Sequence, residues 1–217
     1  MPACAPLARR AAVVVALLAA AAAAAPRLSA QAAEMSPADA FLARVAQLCG
    51  QAFAGRVVAD LPPPTGDDPF AREALVMHVR ECGEGETRIP FHVGTDRSRT
   101  WVLTRTAGGL RLKHDHRHAD GSEDAVTQYG GDTAAEGSAL RQEFPIDAFS
   151  RAMFEREGLT ASLQNSWAIE IEPGRRFLYE LSRPSGRLFR VEFDLTQPIA
   201  PPPAPWGYEL PASESKN

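Results

Sequence analysis

The chain has 217 residues, of which 45% are hydrophobic and 23% charged, and its formal net charge is −4. This length suits one domain of ordinary size or two small ones. The composition excludes collagen, a coiled coil, a multi-span membrane protein and a wholly disordered chain. The sequence also contains neither the G-x-S-x-G element of a nucleophilic serine nor the C-x-x-C spacing of a redox or metal site.

Residues 1–32 have the pattern of a secretory signal peptide. Arg9 and Arg10 form a positive start, the run 11–25 contains only Ala, Val and Leu, and Ala30-Gln31-Ala32 is an A-x-A cleavage signal. The run is shorter than the roughly 20 apolar residues that span a bilayer, which favours cleavage over an uncleaved anchor. The sequence therefore predicts a mature chain from Ala33, periplasmic or secreted, with no membrane partner after cleavage.

The mature chain is acidic and contains two cysteines. Residues 1–32 hold three of the 23 bases and none of the 27 acids, so the remainder has a net charge of −7. This charge argues against nucleic acid as a partner. In an oxidising compartment, Cys49 and Cys82 are expected to form a disulfide.

The predicted elements of the mature chain begin with an amphipathic helix. Ser36 suits the N-cap, Pro37 the first helical position and Asp39 the positive end of the helix dipole. Apolar residues then recur with helical spacing until Gly50, which suits the end of the helix. These apolar residues are Phe41, Leu42, Val45, Leu48 and Cys49. The pattern predicts about three turns with one face to bury.

Beyond Gly50 the hydrophobic period changes to two, which indicates β-strands separated by turns rich in Gly, Pro and Asp. Residues 147–163 interrupt the series as a helical or irregular excursion. Ten strands are predicted, over residues 52–60, 73–82, 87–94, 99–107, 110–118, 123–130, 138–146, 165–172, 175–182 and 187–195.

Tight turns between so many strands predict an antiparallel up-and-down meander, and exposed sheet edges favour its closure into a barrel. The predicted fold class is therefore all-β with one N-terminal helix, in the form of a barrel of about ten strands. We expect the signal peptide over 1–32, the barrel domain over 33–197 and a Pro-rich tail over 198–217. Whether the barrel is open or closed, and its oligomeric state, do not follow from the sequence.

The predicted strand 110–118 carries the one constellation that suggests a site. Alternate side chains of a strand share a face, so His114, His116 and His118 continue an apolar row begun by two leucines. Lys113 and its alternating neighbours take the other face. We therefore expect the three histidines to point into the barrel.

The turns on either side of this strand set its expected neighbours. A two-residue turn at Asp120-Gly121 places His118 opposite Glu123 and Arg117 opposite Asp124, while a turn at Gly108-Gly109 places Trp101 opposite His116. The resulting inner surface has the mixture of aromatic, apolar and polar groups that is typical of a small-ligand pocket. The candidate ligand-binding residues are Trp101, Leu103, His114, His116, His118, Glu123, Thr127 and Tyr129.

A metal site is an alternative interpretation of the same strand. His114 and His116 are separated by about 6.6 Å of rise and could chelate zinc or another transition metal together. The third ligand would come from His78, His92 or Glu123, although both histidines belong to strand faces expected to point outward. A metal-binding protein or metal-dependent enzyme is thus the second hypothesis. The sequence requires no cofactor and identifies no catalytic residue.

Part of the sequence resembles an uncharacterised family of exported bacterial proteins. The stretches that carry the resemblance are RTWVLTRTAGGLRLKHDHRHADGSEDAVTQYGG, QEFPIDAF and NSWAIEIEPGRRFLYELSRPSGRLFRVEFDL. The resemblance spans the mature chain and implies export, but it carries no activity with it. A third hypothesis is accordingly a non-catalytic envelope accessory protein that binds a partner through its surface.

The predicted architecture is similar to that of the calycin superfamily, which includes lipocalins, fatty-acid-binding proteins and nitrobindin-like haem barrels. The lipocalin G-x-W element is missing from the first strand, where Gly55-Arg56-Val57 stands instead. The resemblance therefore implies a calycin-like barrel and not a lipocalin. The leading hypothesis is an exported, disulfide-bonded barrel that binds a small, partly apolar molecule.

Overall fold

A computed structural model describes Met1 and residues 35–208, so nearly all of the predicted signal peptide and the last nine residues lie outside the described residues. The described residues contain three α-helices and a 3-10 helix: α1 Pro37–Ala46, α2 Pro69–Arg72, α3 Ala148–Arg156 and Thr160–Gln164. The strands are β1 Ala52–Leu61, β2 Leu75–His78, β3 Glu81–Gly83, β4 Glu86–Val93, β5 Asp96–Thr106, β6 Gly109–His116, β7 Tyr129–Asp132, β8 Arg141–Pro145, β9 Ser166–Glu172, β10 Arg176–Ser182 and β11 Leu188–Ile199.

The strands form one antiparallel sheet in the order β7-β6-β5-β4-β2-β1-β11-β10-β9-β8, with β3 paired to β4 outside this path. Strands that follow one another in the chain are neighbours in the sheet, except at β3 and between β7 and β8, and the first strand pairs with the last. The sheet therefore runs almost completely round, and the predicted all-β, antiparallel up-and-down barrel is confirmed. None of the described helices combines the length and the apolar character needed to cross a bilayer.

The two ends of the strand order, β7 and β8, come together at a pair of glycines. The amide of Asp147 donates to the carbonyl of Gly130 at 2.9 Å. An ideal Cβ on Gly131 would lie only 1.8 Å from the carbonyl oxygen of Pro145. Ser150 of α3 stabilises the same junction. Its hydroxyl accepts from the amide of Gly130 at 2.7 Å and donates to the carbonyl of Gly130 at 3.1 Å. Glycine is required here for the close approach of two backbones.

Helix α1 closes one end of the barrel. Its N-terminus is capped as predicted, since the amide of Asp39 donates to Oγ of Ser36 at 3.1 Å. Phe41 and Val45 are fully buried in the barrel core. Asp39 also accepts from Nε of Arg105, near the end of β5, at 2.6 Å, which fixes the helix over that end of the strand.

The predicted disulfide is present and links the end of α1 to β3. Cys49 and Cys82 are bonded, with their Cα atoms 6.2 Å apart. This separation is usual for a disulfide. The bond joins the segment that follows α1 to the wall of the barrel.

Two predicted strands are placed wrongly. The predicted strand 73–82 is broken into β2 and β3, because Val79 exchanges backbone hydrogen bonds with Gly50 and Gln51 instead of continuing a ladder. The predicted strand 123–130 is mainly a loop, and β7 begins only at Tyr129. In this loop the carboxylate of Asp124 accepts from the amide of Val126 at 2.7 Å, a local bond that competes with strand pairing.

The structure also tests the predicted excursion 147–163 and the predicted tail that starts at Pro198. The excursion 147–163 is helical, as expected, and contains α3 and most of the 3-10 helix. The predicted tail does not begin at Pro198, since β11 continues to Ile199. Beyond it, the guanidinium of Arg97 donates to the carbonyl of Ala204 at 3.0 Å, and the carbonyl of Arg97 accepts from the amide of Trp206 at 3.0 Å. This part of the predicted tail is bound to the barrel wall.

Candidate functional site

A cavity of about 650 Å³ occupies the end of the barrel away from α1. Arg99 lines it, whereas Arg105, six residues further along β5, contacts the helix. Six residues of strand span roughly 20 Å, so the cavity and helix α1 lie at opposite ends of the barrel. The loop 62–68 and α2 border the cavity. This end of the barrel is therefore the entrance, bordered by a Pro-rich loop.

Six aromatic side chains from Phe, Trp and Tyr line the cavity. The ring of Trp101 stacks on Tyr179 with centroids 4.5 Å apart and on Phe91 with centroids 4.9 Å apart. Phe70 of α2 contacts Phe189 edge to face at 5.2 Å. These rings come from β4, β5, β10, β11 and α2, so the closure of the barrel is what brings them together. They give the cavity an apolar surface with few ways to rearrange.

His114 lies on the inner face of β6 and uses both ring nitrogens. Its Nδ1 donates to the carbonyl of Tyr129 at 3.1 Å, and its Nε2 accepts from the hydroxyl of Tyr179 at 2.8 Å. A carbonyl only accepts, which assigns the proton of the neutral ring to Nδ1. Burial, reinforced by the charge of nearby His116, lowers the pKa of His114 to about 3. The imidazole is therefore neutral at physiological pH and fully bonded.

His116 lies two residues nearer the entrance and is half-buried. Its Nε2 is 3.0 Å from the hydroxyl of Tyr129, and its backbone amide donates to Oγ1 of Thr127 at 2.8 Å. Burial lowers the pKa of His116 to about 4, and the charge of Arg99 acts in the same direction. Burial raises the pKa of Tyr129, so the phenol keeps its proton and can either donate to Nε2 or accept from it. When Tyr129 donates, the proton of the neutral ring is on Nδ1.

The charged groups at the entrance are arranged in pairs. Arg187 forms an ion pair with Asp60, and its guanidinium lies 5.5 Å from the ring centroid of Phe189. Arg99 donates to Asp96 at 2.6 Å and lies 5.4 Å from the ring centroid of Phe70. Each guanidinium thus contacts an aromatic ring of the cavity wall.

Four of the eight predicted ligand-binding residues line the cavity, namely Trp101, His114, His116 and Tyr129. Leu103 is fully buried in the core, and Thr127 is buried where it holds the amide of His116. His118 and Glu123 are exposed on the surface of the domain, so the expectation that they face the interior is wrong. The strand β6 ends at His116, before the alternation can carry His118 inward.

The predicted registers of β6 are also wrong, each by two residues. Trp101 lies opposite His114 and Arg99 opposite His116, because Thr106 pairs with Gly109 and the turn is Ala107-Gly108. A shift of two residues keeps every side chain on its predicted face, which is why Trp101 and His116 still meet the same cavity.

On the other side of β6, Tyr129 pairs with His114, where Thr127 was expected. Arg117 forms ion pairs with Asp115 at 2.7 Å and with Glu123 at 3.0 Å instead of with Asp124. Both changes follow from the loop that replaces the predicted strand 123–130. The loop brings Tyr129 beside His114 and leaves Glu123 on the outer side.

The geometry does not favour a metal site on the histidine strand. Both ring nitrogens of His114 are already hydrogen-bonded to protein groups. His78 and His92 alternate with the inward Met77 and Phe91, so they belong to the outer face of the sheet, although both are buried. Within residues 35–208 there is no cluster of three or more His, Cys, Asp or Glu side chains placed to hold a metal ion.

Several cavity residues were not recognised from the sequence. The cavity residues absent from the predicted ligand-binding set include Asp60, Phe70, Arg99, Tyr179, Arg187 and Phe189. The connection from Leu61 to Leu75, which contains α2, was the available signal, because a link of this length between adjacent strands is uncommon and often functional. The three consecutive prolines that follow Leu61 give it a stiff start.

No family model, curated protein or solved structure matches the chain. The chemistry of the cavity is therefore the basis for assigning a function. Its interior combines stacked aromatic rings with uncharged imidazole and phenol groups, most of them already hydrogen-bonded to one another. Such a surface binds an apolar body and orients it through a small number of polar contacts.

Proposed function

We propose that this chain is a binding protein that takes a small, partly apolar molecule into the open end of its barrel. The observation that carries the proposal is the cavity of about 650 Å³ beside His116 and Trp101. Its size falls within the range of ligand cavities, roughly 300–1,000 Å³. The barrel fold is compatible with this role, since a barrel packed solid by side chains would leave no such space.

The fixed protonation states of the histidines and tyrosines in the cavity support binding over acid–base catalysis. A general acid or base is most effective when its pKa lies near the working pH. The pKa values of His114 and His116 are lowered to about 3 and about 4, and burial raises the pKa of Tyr179 well above its usual range. These groups keep fixed protonation states at neutral pH and serve as hydrogen-bonding partners.

We further propose that the protein acts outside the cytoplasm, in the periplasm or as a secreted protein. The disulfide between Cys49 and Cys82 supports this placement, because such bonds persist in oxidising compartments. The signal-like composition of residues 1–32 is the second support. Expression with the native N-terminus, followed by sequencing of the exported chain, is expected to give a start at Ala33. A full-length chain retained in the cytoplasm would contradict the proposal.

Binding is tested with the neutral fluorescent probe N-phenyl-1-naphthylamine and the mature chain. We expect saturable binding of one probe per chain, with an increase in its fluorescence. Leu181→Trp fills space in the cavity wall and is expected to abolish the signal. Val58→Trp adds the same ring at an exposed position of β1 and serves as the control. Unfolding midpoints establish that both variants fold.

Two results would overturn the proposal. If the wild-type chain gives no saturable binding, the cavity does not take up apolar molecules. If Leu181→Trp and Val58→Trp bind the probe equally, the probe occupies another surface.

A further inference from the structure

Arg99 is a cation of the inner face that retains free donors. It is two residues from Trp101 on β5 and therefore shares the inward row of that strand. Its Nη1 donates to Asp96 at 2.6 Å, and no other hydrogen bond of its guanidinium is found among the described residues. A guanidinium has five N–H donors in a planar fork. The remaining donors belong to a side chain that lines the cavity.

A second donor lies beside Arg99. Arg99 and His116 are direct partners in the antiparallel pairing of β5 and β6. Side chains in such positions have Cβ atoms about 5 Å apart on the same face of the sheet. Nε2 of His116 is occupied by the hydroxyl of Tyr129, so Nδ1 is the ring nitrogen that remains, and it carries the N–H donor when Tyr129 donates to Nε2. The guanidinium and this N–H can reach the same acceptor group.

The carboxylates around the entrance are already engaged. Asp60 pairs with Arg187, and Asp67 with Arg72. Asp68 caps α2 by accepting from the amide of Phe70 at 3.0 Å. Two of these acids thus pair with other arginines and the third with a backbone amide, and none pairs with Arg99.

The positive charge of Arg99 extends into the cavity. Its charge acts to lower the pKa of His116, Tyr129 and Tyr179, which lie on three different strands. For the two tyrosines the larger effect is burial, which raises the pKa. Asp96 and Asp124 act on His116 in the opposite direction. Asp96 contacts the same guanidinium, but it uses one of its carboxylate oxygens to accept from the amide of Ser98 at 2.9 Å. The inner side of Arg99 is thus left for an incoming anion.

The rings around Arg99 specify the remainder of the ligand. Its guanidinium lies over Phe70, which in turn stacks on Phe91 with centroids 6.0 Å apart and meets Phe189 edge to face. Tyr129, bonded to His116, lines the same space. A flat aromatic molecule binds such surfaces more favourably than a flexible chain of equal volume, because it loses less conformational freedom on binding.

We propose that the ligand is a small aromatic carboxylate, with its carboxylate on Arg99 and Nδ1 of His116 and its ring against Phe70 and Tyr129. This rests on the proposed function of the cavity and names its ligand class. A carboxylate matches the planar fork of a guanidinium, and such charge-assisted bonds are stronger where water is partly excluded. The side chain of Arg99 is only 25% exposed before a ligand covers it.

Two probes of the same shape test the proposal. Calorimetric titration at pH 7.5 compares 2-naphthoate with 2-naphthamide, which has the same ring but no charge. We expect 2-naphthoate to bind at least tenfold more tightly, and the difference to shrink as sodium chloride is added. Arg99→Gln is expected to weaken 2-naphthoate at least tenfold while leaving 2-naphthamide within about twofold. Arg56→Gln, on an exposed side chain outside the cavity, is the matched control and is expected to change neither.

The outcomes separate this inference from the proposed function. Equal affinities for the two naphthyl probes, or no effect of Arg99→Gln, would overturn the carboxylate assignment while N-phenyl-1-naphthylamine still binds. Failure of all three probes would overturn the proposed function itself. If Arg99→Gln does not fold, Arg99→Lys keeps the charge without the planar fork. It is then expected to weaken 2-naphthoate severalfold, and an unchanged affinity would contradict the proposal.

Discussion

The hydroxyl of Tyr179 lies 2.8 Å from Nε2 of His114, and this hydrogen bond joins β10 to β6 across the interior of the barrel. The two residues are 65 positions apart in the sequence and are both buried. The other ring nitrogen of His114 bonds to β7 through the carbonyl of Tyr129. One imidazole therefore connects three strands on the two sides of the cavity floor.

Removal of this hydroxyl is expected to destabilise the barrel. Tyr179→Phe leaves Nε2 of His114 as a buried acceptor without a donor, which costs about 1–3 kcal/mol. Urea unfolding of the mature chain measures the change. Tyr208→Phe, which keeps the ring that packs on Arg80, is the control and is expected to change the free energy of unfolding by less than about 0.5 kcal/mol. Equal stability of Tyr179→Phe and the wild type would contradict the structural role of the bond.

Stability is expected to fall on acidification because of His116. Its pKa is lowered to about 4 in the folded chain, against about 6.5 when unfolded. Between these values the unfolded state binds a proton that the folded state does not, so the stability decreases as the pH falls from about 6.5 to about 4. The loss from this one group between pH 7.5 and pH 5 is about 2 kcal/mol.

The test of this assignment is the pH dependence of the variant His116→Gln. Its free energy of unfolding is expected to fall less steeply between pH 7.5 and pH 5 than that of the wild type. His118→Gln removes an exposed histidine two residues away and serves as the control, with an unchanged slope. If both variants have the wild-type slope, burial of His116 does not contribute to the acid sensitivity.

Gly131→Ala is expected to disrupt the junction of β7 and β8. The added Cβ would lie 1.8 Å from the carbonyl oxygen of Pro145, so the two backbones must separate. We expect a loss of about 3 kcal/mol or more, or failure to fold. Gly108→Ala places the same methyl group in open space and is the control. Thermal unfolding followed by circular dichroism distinguishes the two, and a Gly131→Ala chain as stable as Gly108→Ala would contradict the close approach.

Reduction of the disulfide is expected to lower the free energy of unfolding by about 3–4 kcal/mol, from the entropy of the loop that it closes. The loop spans 33 residues between Cys49 and Cys82. Denaturant titration with and without a reductant measures the change. A chain with both Cys49→Ser and Cys82→Ser is the control, since its stability should not respond to the reductant. An equal response of the two chains would show that the reductant acts elsewhere.

The sequence predicted the barrel and the inward face of β6 because both depend on alternation, which local residue types encode directly. It did not predict the register, because Ala107-Gly108 and Gly108-Gly109 are both acceptable two-residue turns. The loop before Tyr129 was mistaken for a strand, since the competing side-chain bonds of Asp120 and Asp124 are not visible as a hydrophobic pattern.

The entrance of the cavity was missed for a different reason. Asp60 and Arg187 form an ion pair although 127 positions separate them. Phe70 likewise meets Phe189 only after β1 has paired with β11. These neighbours are created by the closure of the sheet, and no local pattern in the sequence records them.

The pairing of β1 with β11 sets a condition on the order of folding. The first strand has one partner in β2, but its other edge stays open until residues 188–199 are available. A chain emerging from the ribosome or threaded through a translocation channel would therefore hold an unfinished sheet until almost its last segment appeared. Contacts of such long sequence separation slow folding and prolong exposure of the open edge. Until that last strand pairs, the open edge of β1 is the part of the sheet most able to pair with another chain.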